Sequence, residues 1–110
     1  MFIWKPESVE VAPEVSLRNW RIIETTEGTR HFVGRNIHDD AGRVSSEIVE
    51  FDPVSRRGRT RSGRIYELVG QSGYDPDAAY VWQWWCTHNS VVGYTDVSHM
   101  AVSEDGDDDA

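Results

Sequence analysis

Residues 75–88 read DPDAAYVWQWWCTH, and this stretch decides the fold class of the chain. Asp75 can cap a helix with its side chain, Pro76 suits the first helical position, and Asp77 is favourable beside the positive end of the helix dipole. Apolar side chains then recur at i, i+3, i+4 and i+7, which is the spacing of one helix face. They are Ala78, Val81, Trp82 and Trp85. The stretch therefore predicts a helix with one buried face.

The aromatic content of this stretch leaves a strand as the alternative, because Tyr, Trp and Val favour extended backbone. Alternation would then place Tyr80, Trp82, Trp84 and Cys86 on one face of the strand. In the helix, Tyr80, Trp84 and His88 form a second row beside the core face. We expect this row either to pack beneath an N-terminal arm or to lie at an interface.

Upstream of the predicted helix, runs of strand-forming residues alternate with short polar turns. The predicted strands cover residues 17–25, 30–37, 44–51 and 61–69, and a last strand covers residues 91–97. Strands joined by short polar turns are typical of an antiparallel meander. The sequence thus predicts an α+β domain, in which one helix in the C-terminal half packs on a small antiparallel sheet of four to five strands.

The chain has 110 residues, which is enough for one hydrophobic core. We expect an extended N-terminal arm at residues 1–14, a single domain at residues 15–102 and a flexible acidic tail at residues 103–110. No apolar run approaches the roughly 20 residues of a membrane span, and Pro6 interrupts the apolar start before a signal peptide could form. The expectation is a cytoplasmic protein without membrane contact.

Charge is distributed unevenly along the chain, whose formal net charge is −8. Residues 15–74 contain ten Arg and eight acidic residues, whereas residues 75–110 contain eight acidic residues and no Lys or Arg. Acidic surfaces steer basic partners during association, and Trp and Tyr are enriched in interface cores. The C-terminal third of the chain therefore has the composition of a surface that binds a basic partner.

These features indicate a small non-catalytic protein-binding module. The predicted contact residues are the acids Asp75, Asp77 and Asp96 and the aromatics Tyr80 and Trp84. One form of such a module is an acidic inhibitor encoded by a phage or mobile element. Its carboxylates would take the place of phosphates on a basic, nucleic-acid-handling protein, such as a component of a defence system. Both a monomer and a homodimer fit the sequence.

An arginine cluster indicates an alternative function, the binding of nucleic acid or of a phosphate ligand. Its members fall within nine residues: Arg56, Arg57, Arg59, Arg61 and Arg64. The planar guanidinium suits phosphate, and an aromatic side chain such as Trp84 can stack on bases. The acidic net charge argues against this alternative, because nucleic-acid-binding proteins usually carry a basic footprint. Steep weakening of binding with salt would favour it.

Residues with catalytic or metal-binding chemistry do not form a recognised motif. Cys86 and His88 stand two apart, which places them on different faces of a helix or side by side on a strand, and the sequence shows no third group to orient them. His31 and His38 do not have the spacing of zinc ligands. The chain contains one cysteine, so no disulfide can form within it. The sequence predicts no enzyme activity, no metal site and no cofactor.

Overall fold

The structure is a computed structural model, which describes Val9 and residues 13–101. The described part contains β1 (Glu14–Thr25), β2 (Arg30–Asn36), β3 (Ala41–Val44), β4 (Ile48–Asp52), β5 (Arg57–Thr60), β6 (Ile65–Leu68), α1 (Pro76–His88), β7 (Tyr94–Asp96) and a short 3-10 helix (Ser98–Ala101). The predicted α+β class is confirmed. Most of the predicted arm and the whole of the predicted acidic tail lie outside the described residues.

The sheet is mixed, so the prediction of a four- to five-stranded antiparallel meander is wrong. Six of its seven strands are hydrogen-bonded neighbours in the order β3-β2-β1-β6-β5-β4, and the seventh, β7, pairs with β1. β1 and β6 are parallel, from Glu14 beside Ile65 to Leu17 beside Leu68. The other pairs of described strands are antiparallel. Two three-stranded units, β1–β3 and β4–β6, are therefore joined through one parallel pair, β1 with β6. The residues of these two strands carry no sequence pattern that identifies them as neighbours.

Two of the predicted strands each contain more than one element. Residues 44–51 include the end of β3, an irregular stretch at residues 45–47 and most of β4. Residues 61–69 begin with the turn of a hairpin between β5 and β6, in which Gly63 has a φ of +92°. This φ favours glycine, which has no Cβ to clash. The arginine cluster consequently occupies a hairpin and its flanking turn.

A bulge in β1 changes which residues share a face. The register between β1 and β2 shifts between Arg18 and Arg21, and Asn19 has a φ of +48°. An extra residue at a bulge reverses the strand alternation. Leu17 and Trp20 therefore lie in the same hydrophobic core although they are three residues apart.

Two hydrophobic cores lie on opposite faces of the sheet. The first contains Val15, Leu17, Trp20, Ile22, Phe32, Tyr66, Leu68 and Ala101. The second lies between the sheet and α1 and contains Ile23, Val33, Ala78, Trp82 and Cys86. In the first core, the Phe32 ring of β2 lies 5.8 Å from the Phe51 ring of β4 and 5.3 Å from the Tyr66 ring of β6. The sheet thus curls around the first core.

The helix begins and ends where the sequence predicts. Ala78 N donates to the Asp75 carboxylate at 2.9 Å, and Pro76 stands in the first turn. The helix packs closely on β3, since a Cβ at Gly42 would lie 2.5 Å from the backbone of Asp77 and Ala78. Among the described residues, no helix is long and apolar enough to cross a membrane.

Candidate partner-binding face

The outer face of α1 carries two large aromatic side chains and, at its N-terminal end, the half-exposed carboxylate of Asp77. Its exposed residues are Tyr80, Gln83, Trp84, Thr87 and His88, and we call this set the aromatic face. Tyr80 is 43% exposed and Trp84 is 41% exposed. The outer face of a surface helix usually carries charged and polar residues. Two large exposed aromatic side chains on such a face are therefore candidates for contact with a partner.

The side chain of Trp84 is held in place before any partner binds. The His88 ring stacks on the Trp84 ring, with 4.0 Å between the centroids and 27° between the planes. Because a carbonyl oxygen can only accept, His88 Nδ1 donates to the Trp84 carbonyl oxygen, 2.8 Å away. A side chain that is ordered in the free protein loses less conformational entropy on binding.

Tyr94 on β7 extends the aromatic face beyond the helix. Gln83 Nε2 donates to Tyr94 Oη at 2.8 Å. The Tyr94 ring also makes an edge-to-face contact with the Trp82 ring. Tyr94 remains 43% exposed. This contribution could not be read from the sequence, because it depends on the pairing of Tyr94 with Thr25 of β1.

The three acids of the predicted partner surface have different environments. Asp75 is only 4% exposed, and its two oxygens accept from Arg35 Nε at 2.7 Å and from Ala78 N at 2.9 Å. Asp77 is half-exposed and accepts from Arg35 Nη2 at 2.9 Å. Asp96 is exposed and accepts from Ser98 N at 2.8 Å. Asp77 and Asp96 thus present carboxylates at the surface, whereas Asp75 holds the helix.

The shared contact with Arg35 also has an electrostatic consequence. The hydrogen bond to Asp75, and to a smaller extent the one to Asp77, raises the pKa of the Arg35 guanidinium above its ordinary value. Asp40 Oδ1 lies 3.1 Å from Arg35 Nη1 and completes the group. One cation therefore partly neutralises the acidic residues around the N-terminus of α1.

Carboxylates lie close to three members of the arginine cluster. Arg59 Nη2 lies 2.7 Å from Glu50, and Arg61 Nη2 lies 2.7 Å from Glu47. Arg57 contacts two carboxylates, those of Glu14 at 3.2 Å and Glu67 at 3.7 Å. These carboxylates reduce the positive potential that a phosphate would meet on this surface.

The remaining two members of the cluster contact the body of the domain. Arg56 Nη1 donates to the Gly70 carbonyl oxygen at 2.8 Å, and its guanidinium carbon lies 5.9 Å from the centre of the Trp20 ring. Arg64 is buried. Of the five arginines in the cluster, three therefore form ion pairs, Arg56 contacts a backbone carbonyl, and Arg64 is buried.

Cys86 and His88 diverge, as the helical spacing predicts. Cys86 faces the second core, where burial raises the pKa of the thiol, while His88 lies on the aromatic face. Within the described part of the chain, no group of three His, Cys, Asp or Glu side chains could hold a metal ion.

His31 lies beneath the helix and has neighbours on every side. Its Nδ1 donates to the Ser45 carbonyl oxygen at 3.0 Å, its Nε2 lies 3.0 Å from Thr29 Oγ1, and its ring lies 4.5 Å from the Trp85 ring. Desolvation by burial lowers the pKa of the imidazole. The arrangement is that of a neutral histidine with both nitrogens hydrogen-bonded in the protein interior.

A shallow groove of about 280 Å³ lies between β4 and the 3-10 helix. Two charged residues, Arg30 and Glu50, line it, and each has an ion-pair partner, Glu24 and Arg59 respectively. Polar groups do not converge on its apolar floor in the way that an active site requires.

No family model, curated protein or solved structure matches the chain. Of the surfaces described above, the aromatic face combines the largest exposed aromatic side chains with a fixed geometry.

Proposed function

We propose that this chain is a small non-catalytic protein-binding module that contacts its partner through the aromatic face of α1. The observation that carries the proposal is the exposure of Tyr80 and Trp84 on the outer face of α1, beside the half-exposed carboxylate of Asp77. Trp and Tyr are the residue types that most often dominate binding energy at the centre of an interface, because they bury a large area with few rotatable bonds.

The charge of the chain favours a basic partner. No Lys or Arg follows residue 64, and Asp77 and Asp96 hold surface carboxylates on the elements that carry the aromatic face. Two copies of the chain, each with a net charge of −8, repel one another, whereas a basic surface is attracted and steered. A basic, nucleic-acid-handling protein fits this surface, and the carboxylates would then occupy positions that phosphates take in its normal complex. In this version the chain acts as an inhibitor of that protein.

Binding of nucleic acid through the arginine cluster is less well supported. Glu47, Glu50 and Glu67 already lie within ion-pair distance of three of its members. A phosphate backbone would have to compete with these carboxylates, and the acidic net charge opposes its approach.

The test is capture from the lysate of the native host with the full-length chain, followed by identification and quantification of the captured proteins. We expect one basic protein to be retained stoichiometrically after nuclease treatment. Trp84→Ala and Tyr80→Ala should each lower its capture at least about tenfold, the loss typical of an interface hot spot. The matched control is Thr87→Ala, a truncation on the same helix face, which should retain capture.

Thermal unfolding of each variant distinguishes lost contact from lost folding. We expect the melting temperature of Trp84→Ala to stay within a few degrees of the unsubstituted protein. Equal capture by Trp84→Ala would remove the aromatic face from the proposal. Nuclease-sensitive capture that is weakened by salt and by Arg59→Ala would instead support the nucleic-acid alternative.

A further inference from the structure

Four side chains of α1 form one row on its outer face, with a hydrogen-bond acceptor at each end and two aromatic rings between. They are Asp77, Tyr80, Trp84 and His88. Spacings of three and four residues make each of them a neighbour of the next on the helix surface. At 1.5 Å per residue the row is about 16 Å long. Asp77 is half-exposed and the other three are exposed, so a partner can reach the whole row.

The N-terminal end of the row keeps negative charge in spite of its ion pairs. Arg35 Nη2 donates to Asp77 Oδ2 at 2.9 Å, and no donor from the described residues reaches Asp77 Oδ1. Arg35 is shared among the carboxylates of Asp40, Asp75 and Asp77, and Arg18 pairs with Asp40 as well. Two cations therefore face three carboxylates, and Asp77 Oδ1 is left to accept from a cation of the partner.

The C-terminal end of the row presents a ring nitrogen as its acceptor. His88 Nδ1 lies 2.8 Å from the Trp84 carbonyl oxygen, and it must donate there because a carbonyl oxygen only accepts. In the neutral ring the other nitrogen, Nε2, then carries a lone pair and no hydrogen. Nε2 points away from that carbonyl, and in the described part of the chain no group donates to it. The stack on the Trp84 ring holds the imidazole in this orientation.

Arginine is the side chain that best matches this alternation of acceptors and rings. No residue of α1 is Lys or Arg, so the helix itself supplies no cation to the row. A guanidinium can lie flat on an aromatic ring while its N–H groups, which lie in the same plane, donate to acceptors beside the ring. The compact, strongly hydrated ammonium group of lysine has no flat face that stacks in this way.

We propose that the row binds two arginine side chains of the partner, one at Asp77 and Tyr80 and one at Trp84 and His88. This inference rests on the proposed function, because it specifies how the aromatic face recognises a basic protein. The two positions are about 11 Å apart along α1, which is the separation of residues seven apart in a helix. The segment of the partner that lies on the row is therefore a helix with arginines at that spacing.

The probes are two alanine-based helical peptides that differ only at two positions seven residues apart. These positions are arginine in one peptide and citrulline, which has a similar shape but no charge, in the other. Each peptide is titrated into the isotope-labelled full-length chain at constant ionic strength, and the indole N–H signal of Trp84 reports binding in NMR spectra. We expect the arginine peptide to bind about tenfold more tightly, because the cation–π contacts and the exposed ion pair each contribute a few-fold.

Two variants test the ends of the row. Asp77→Asn removes the charge and keeps an acceptor for Arg35, and His88→Phe keeps a ring beside Trp84 and removes the Nε2 acceptor. Each should weaken the arginine peptide at least about threefold more than the citrulline peptide, whereas a general structural change would weaken both peptides equally. The matched control is Glu50→Gln, which removes the same charge from β4, at the other end of the strand order from β3. It should leave the preference for arginine unchanged.

Equal binding of the two peptides would overturn the inference, and so would a Trp84 signal that does not move with the arginine peptide. Equal effects of Asp77→Asn and His88→Phe on both peptides would also contradict it. The capture experiment separates these failures from a failure of the proposed function. If Trp84→Ala loses capture while the peptides bind equally, the aromatic face binds protein without selecting arginine, and only this inference is overturned. If Trp84→Ala retains capture, the proposed function fails as well.

Discussion

Arg35 and Asp75 form the ion pair that connects β2 to the N-terminus of α1. Arg35 Nε lies 2.7 Å from Asp75 Oδ1, and the second oxygen of Asp75 accepts from Ala78 N at 2.9 Å. One buried carboxylate therefore both caps the helix and anchors it to the sheet. This anchoring places the aromatic face of α1 toward the outside.

Replacement of Asp75 should destabilise the domain. We expect Asp75→Ala to lower the free energy of unfolding by about 2–4 kcal/mol, because it removes a helix cap and one partner of a largely buried ion pair. Asp77→Ala, which removes a half-exposed partner of the same arginine, should cost less than about 1 kcal/mol. Urea denaturation of both variants measures the difference. If both variants lost the same free energy of unfolding, the helix cap and the burial of Asp75 would contribute little to stability.

Gly42 should be intolerant of any side chain. A Cβ at this position would lie 2.5 Å from the backbone of Asp77 and Ala78, so the helix would have to move away from β3. We expect Gly42→Ala to cost about 1–3 kcal/mol. The control is Gly73→Ala, whose Cβ would be 3.5 Å from its nearest neighbour, an ordinary contact. A Gly42→Ala protein as stable as Gly73→Ala in urea would contradict the close packing.

His31 should make stability depend on pH. Burial lowers the pKa of His31 in the folded state below its ordinary value, while hydrogen bonding to the Ser45 carbonyl and the charge of Glu47 act in the opposite direction with smaller effect. Between the folded and unfolded pKa values the unfolded chain binds more protons. This contribution to stability is therefore complete above about pH 6.5 and is lost as the pH falls.

The measurement is urea unfolding at about pH 5 and about pH 7.5. His31→Gln should lose less stability than the unsubstituted protein on going to the lower pH. His88→Gln, which changes an exposed histidine, should keep the original difference. A pH dependence that is identical in all three proteins would show that His31 does not titrate in this way.

Cys86 should react slowly with thiol reagents in the folded protein. The thiol is buried beside Trp82 in the second core, and burial raises its pKa, so little thiolate is present and access is restricted. We expect reaction with a chromogenic disulfide reagent at about pH 8 to be at least tenfold slower in buffer than in concentrated urea, as expected for a structural buried cysteine. Comparable rates in the two solvents would indicate that the helix opens readily from the sheet.

The helix could be predicted from the sequence because its signals are local. Asp75, Pro76 and the apolar spacing that ends near Trp85 all lie within four turns, and the structure contains a helix over Pro76–His88. The same signals distinguished the outer row of Tyr80 and Trp84 from the core row. That row is exposed in the structure.

The arrangement of the sheet could not be predicted in the same way. Alternation identified residues that favour strands, but it does not report which strands are neighbours. The parallel contact of Val15 with Tyr66 joins segments about fifty residues apart. The bulge at Asn19 also interrupts the alternation of faces along β1, so that Leu17 and Trp20 share one core.

By itself, the sequence determined the α+β class, the helix that follows Asp75, and the charge difference between residues 15–74, which contain ten Arg, and residues 75–110, which contain acidic residues but no Lys or Arg. These properties follow from composition and from interactions within a few residues. The tertiary structure alone decided that Asp75 is buried against Arg35 and that Glu50 and Glu47 pair with the exposed Arg59 and Arg61. Each of these depends on the pairing of distant strands, because burial and ion pairing are set by the neighbours that the fold provides.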